Sequence, residues 1–135
     1  MAKLLLATLC DDVREEKTGK VSLMGVFDRF MVADFRAALP IFWLFAQIGC
    51  ESEGEHTLTV EFRRIEGDVI FRGDIKHQAI GRNSVSNLYH ANINLRLEHV
   101  TIPGPGAYEF SIHSDGLSVG TLPVDVIQPA PQLLQ

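Results

Sequence analysis

The chain has 135 residues, 46% hydrophobic and 21% charged, which fits one globular domain and excludes wholesale disorder. Its net charge is −5 and no basic run exceeds the pair Arg63-Arg64, so nucleic acid or an anionic membrane held by bulk charge is not expected as a partner. All twelve Lys and Arg lie at or before Arg96, which leaves residues 100 to 135 with a net charge of −3.

Short runs rich in β-branched and aromatic residues, separated by Gly, Pro, Asn and Asp, predict strands throughout. The first covers Lys3 to Asp11, and the polar stretch Asp12 to Gly19 turns the chain into a second over Lys20 to Asp28. Residues Arg29 to Leu39 read as irregular. Pro40 opens a third strand, Ile41 to Cys50, and Glu51 to Glu55 turns into a fourth over Thr57 to Ile65. Glu66-Gly67-Asp68 is a tight turn before the fifth strand, Val69 to Lys76. A polar loop, Gly81 to Ser84, leads to Leu88–Glu98, where Tyr89, Ala91, Ile93, Leu95 and Leu97 alternate with polar residues. The seventh strand places Tyr108, Phe110 and Ile112 on one face. Asp115-Gly116 is a hairpin turn, and Leu117 to Ile127 is the eighth strand, with a one-residue slip at Gly120 that predicts a β-bulge. No segment carries a helical period. The predicted fold is all-β: a two-layer antiparallel β-sandwich over residues 1–128 with a short Pro-containing tail, 129–135.

Around Tyr108, the order Leu95, Leu97, Val100, then Pro103 to Gly106, then Tyr108 at a strand start resembles the E-to-F corner of immunoglobulin-like sandwiches. That resemblance implies a Tyr hydroxyl bonded back to preceding backbone. A second resemblance covers most of the chain. Leu4-Leu5-Leu6-Ala7-Thr8-Leu9-Cys10-Asp11-Asp12-Val13-Arg14, Val21 to Asp28, Pro40-Ile41-Phe42-Trp43 and the Pro-Gly-Ala-Tyr corner are similar to a family of short bacterial proteins catalogued only as a domain of unknown function. It implies a compact cytoplasmic β-domain and transfers no activity, cofactor or catalytic residue.

Motifs for chemistry are sparse. Cys10 and Cys50 are forty residues apart with no CxxC pattern, and read as two small buried thiols. The five histidines have no metal-clip spacing and read as sheet-surface residues; Asp11, Asp12, Glu15 and Glu16 read as a solvated turn. There is no G-x-S-x-G elbow. No enzyme activity, cofactor or metal is expected. No apolar run approaches the roughly 18 residues of a membrane span, and the expected location is cytoplasmic.

Apolar residues on both faces of the first three strands form the main anomaly. Residues Ile41 to Ala46 are six consecutive apolar positions, whereas a sandwich strand needs only one apolar face. Either the segment Phe30 to Leu39 or a second copy must cover the surplus face. The expected function is therefore a non-enzymatic, self-associating β-sandwich, a homo-oligomer as dimer or filament, with Leu5, Met24, Val26, Phe42 and Leu44 as interface candidates. The alternative is a small-ligand or carbohydrate-binding sandwich that uses the 81–89 loop through Arg82, Asn83 and Tyr89.

Overall fold

The computed structural model describes residues 2–130, which form nine strands and no helix. These are β1 (Ala2–Glu15), β2 (Val21–Phe27), β3 (Arg29–Met31), β4 (Phe42–Cys50), β5 (Gly54–Arg64), β6 (Val69–Ala79), β7 (Tyr89–Leu97), β8 (Gly106–Ser114) and β9 (Leu117–Ile127). Two sheets face each other, one in the order β2-β1-β4-β7 and the other β3-β9-β8-β5-β6. The all-β sandwich is as the strand alternation predicts. Of the expected tail, residues 131–135 lie outside the described residues.

One strand was not expected. Arg29–Met31 lies in the segment read as irregular and pairs parallel with β9, Phe30 opposite Val126. Three residues are too few to show a period of two, and the partner lies nearly a hundred residues away.

Inward faces follow the alternation. Phe42, Leu44, Ala46 and Ile48 of β4 share one core with Leu58, Val60 and Phe62 of β5 and with Tyr108, Phe110 and Ile112 of β8. Phe62 and Phe110 stack with ring centroids 4.5 Å apart. At one end, Phe27, Phe30 and Phe42 meet edge to face, with centroids 5.0 to 6.3 Å apart. The segment 30–39 thus joins the core through Phe30 and Val32, with Phe35 and Leu39 packed against it.

Local signals hold where backbone geometry demands a residue type. Asp115 and Gly116 both have positive φ, 50° and 84°, in the two-residue turn between β8 and β9. Ile112 pairs with Gly120 but His113 pairs with Ser118, so Val119 is the extra residue of the predicted bulge. Tyr108 is fully buried, and its hydroxyl donates to the Gly104 carbonyl at 2.7 Å. Cys10 and Cys50 are free and buried. No helix among the described residues is long and apolar enough to cross a membrane.

Candidate functional site: an apolar end of one sheet

Register decides which parity of each strand meets the core. In the β2-β1-β4-β7 sheet, Leu9 pairs with both Phe27 and Leu44, and this row points inward. The next row, Val26–Cys10–Trp43, points outward. Phe42 and Leu44, expected as interface residues, therefore belong to the core, each only 2% exposed. Both parities of β4 are apolar, and composition cannot say which one faces β5 and β8. Leu5 sits at a β-bulge where the pairing slips between Leu4 and Leu6; it is half-buried and closes over Gly49 together with Leu88.

Met24 and Val26, the two candidates on β2, are at the surface. They lie on the outward side of β2, 45% and 61% exposed. Ile41, just before β4, and Met31 on β3 are also exposed. Cys10 and Phe45 belong to the outward parity as well, yet both are buried and neither joins the inter-sheet core. The outward face is thus well packed around β1 and β4 and apolar toward β2. Burial raises the Cys10 thiol pKa above its ordinary value, so the thiol stays protonated.

Beside this face opens a groove of about 370 Å³ at the end of the sandwich. Val26 and Phe27 form one wall, Phe30 and Met31 another, and Pro40 and Ile41 a third. Asp11 and Arg29 are its charged lining residues. Arg29 is held by Asp28 at 3.0 Å. Asp11 has no ion-pair partner among the described residues. Gly25 lies against it with φ 67°, and a β-carbon at that position would run into the Asp11 carboxylate. The positive φ favours glycine there, and any side chain would have to displace the Asp11 carboxylate packed over it.

The 81–89 loop has its polar groups turned on itself. Asn83 Oδ1 accepts from the backbone N–H of Val85 and Ser86, at 2.9 and 3.0 Å. Arg82 donates to Asn87 Oδ1 at 2.9 Å, and Tyr89 pairs with Arg82 through a backbone bridge and packs on the core. The structure thus brings Arg82, Asn83 and Tyr89 together, in a loop that positions its own backbone.

A polar cluster at the opposite end was not anticipated. His56 and His77 face each other across the β5–β6 pair, ring centroids 5.8 Å apart, both on the inward side at the sandwich end. They are not surface histidines. His56 Nδ1 lies 2.6 Å from Asp115 Oδ2, and His56 Nε2 lies 2.8 Å from the Ser52 carbonyl. The Asp115 carboxylate first, then the Ser52 carbonyl, favour the imidazolium and raise the His56 pKa. Asp115 is lowered in turn by His56 and by the Thr57 N–H. Burial first, then the neighbouring charge on His56, lowers His77. With both nitrogens of His56 donating, the group acts as a charged clamp between two turns. Nothing in local spacing announces it, since it depends on register and on a residue 59 positions away. Among the described residues no three His, Cys, Asp or Glu converge to hold a metal ion.

Over residues 5–127 the sequence matches the model of DUF6941, a family of unknown function. The chain belongs to that family. No curated protein matches it. Among solved structures, it is similar to the Pseudomonas fluorescens alkylpurine DNA glycosylase AlkC bound to DNA containing an abasic site analog, at 8% identity and a TM-score of 0.46. The likeness takes in 93% of this chain and 30% of the glycosylase, so the chain spans less than a third of that protein. At that level it carries no functional argument for this member of DUF6941.

Proposed function

We propose that this domain is a non-enzymatic, self-associating β-sandwich, an assembly or interaction module that works as a homo-oligomer. One observation carries the reading: Val26, Ile41 and Met31 stand exposed around one groove at one end of the molecule, and Met24 stands exposed two residues before Val26 on β2. Each large apolar side chain left in water forgoes roughly 1.5–3 kcal/mol of burial. Gathered around a concave surface, such residues mark a contact site more often than a scattered few would. An acidic chain with β2 as an uncharged edge strand fits a protein partner better than a polyanion.

A cytoplasmic location belongs to the same reading. Support comes from two cysteines that stay free and buried. The sandwich is read as immunoglobulin-like. Strands β1-β4-β7 against β9-β8-β5 follow the order A-B-E against G-F-C, and Tyr108 then opens strand F, where a corner tyrosine sits. β2, β3 and β6 are additions beside that frame. Fold alone assigns no activity.

The test is the solution mass over a range of concentrations, by sedimentation equilibrium. Mass should rise above one chain, and Val26→Asp should lower it while leaving the β-sheet circular dichroism unchanged. A wild-type chain that stays monomeric at several hundred micromolar overturns the proposal.

A further inference from the structure

We propose that copies of this chain join head to tail, Val85 of one copy seating in the groove beside Asp11 of the next. This rests on the self-association reading and names the partner surface of that site. The two most exposed large apolar side chains among the described residues are Val85, 93% exposed, and Ile80, 65%. Both belong to the stretch between β6 and β7. Both stand mostly uncovered within their own molecule.

The loop is a preformed knob. Asn83 holds Val85 and Ser86 through their N–H groups, and the Asn87 N–H donates back to the Asn83 carbonyl at 2.8 Å. Little conformational freedom remains to be lost on docking. Its one charged side chain is Arg82. The groove offers the complement: apolar walls from β2, β3 and the 40–41 segment, and the Asp11 carboxylate without an ion-pair partner among the described residues. Apolar fits apolar; the groove's own cation, Arg29, is already engaged by Asp28 at 3.0 Å, which leaves the Asp11 carboxylate to meet Arg82 of the loop.

Position makes the contact directional. The groove lies at the Phe42 end of β4, and the loop adjoins the Cys50 end, because Cys50 pairs with Tyr89. The eight residue steps from Phe42 to Cys50 separate the two by about 26 Å at ~3.3 Å per step. Knob and socket thus occupy opposite ends of one molecule. A contact between different surfaces of identical copies is heterologous, and it closes into a ring or runs on as a filament.

The experiment uses the full chain and two blocked variants in sedimentation equilibrium. Val85→Asp disables the knob and Met31→Asp the socket; both positions are exposed, so both variants fold. Wild type should grow past two copies as concentration rises. Each variant alone should associate at least about tenfold more weakly, as loss of one buried Val-sized contact implies. An equimolar mixture should recover a mass of two chains, since one intact knob and one intact socket remain. Wild type that associates while Val85→Asp associates equally well overturns the head-to-tail contact and leaves self-association standing. Wild type that stops at two copies also overturns it. A monomeric wild type overturns both readings.

Discussion

Gly25 and Asp11 meet across the β1–β2 pair so closely that a β-carbon at position 25 would have to displace the Asp11 side chain. Gly25→Ala should therefore destabilise the domain twice over. A positive φ costs a non-glycine residue about 1 kcal/mol, and the Asp11 carboxylate must move as well. Asp11→Ala in the same chain should recover the second part and leave the first. Urea midpoints of the single and double variants check this; a Gly25→Ala midpoint equal to wild type contradicts it.

Tyr108→Phe removes the hydroxyl that donates to the Gly104 carbonyl. Gly104 is buried, so its oxygen loses its donor out of reach of bulk water. The expected loss is about 1–3 kcal/mol. The stack on Phe62, 5.5 Å between centroids, remains, so the variant should fold with the native spectrum and a lower midpoint. An unchanged midpoint would remove the corner bond from the account of stability.

Leu44→Asp and Met24→Asp should part company. Leu44 is in the core, and a carboxylate there without a partner should prevent folding or lower stability by several kcal/mol. Met24 stands half-exposed on the outward face, and its replacement should leave the fold intact. Thermal unfolding followed by circular dichroism separates the two, and a stable Leu44→Asp chain would reverse the assigned parity of β4.

The His56 clamp sets a sign for pH dependence. His56 is raised above its ordinary 6.5, so its contribution is complete below 6.5 and fades as pH rises through the folded value. Asp115 is lowered below its ordinary 3.8, so its contribution is present above 3.8 and fades as pH falls through the folded value. His77, depressed, works against His56: its neutral form is favoured on folding, which counts against stability as pH falls below 6.5. In His56→Gln the alkaline decline due to the clamp should vanish. Urea midpoints from pH 4 to 9 for the two chains test it, and parallel profiles would rule the clamp out as the source. By proton NMR, His56 should titrate above 6.5 and His77 below it.

Strand positions, the Asp115-Gly116 turn, the bulge at Gly120 and the Tyr108 corner were legible because each rests on near neighbours in sequence. An alternation of two, a positive φ or a short return bond leaves a local mark. The face of β4 was not legible, since Ile41 to Ala46 are apolar at every position and only pairing with Leu9 and Leu95 selects Leu44 for the core. For the same reason Met24 and Val26 could be read as surface candidates while Phe42 could not be told apart from them. β3 and the His56–His77 pair depend on partners far along the chain, and no window of sequence contains both members.

The parallel pairing of β3 with β9 has a consequence in time. Phe30 and Met31 take their places only once Val126 and Ile127 are available to pair with them. During synthesis the chain emerges from its N-terminus, and units fold as they appear. Hairpins such as β1–β2 and β5–β6 close early across short loops, whereas this pair must span nearly the whole chain. One wall of the groove is therefore among the last parts built, and a nascent chain lacking its final strand has no finished socket for a neighbour to enter.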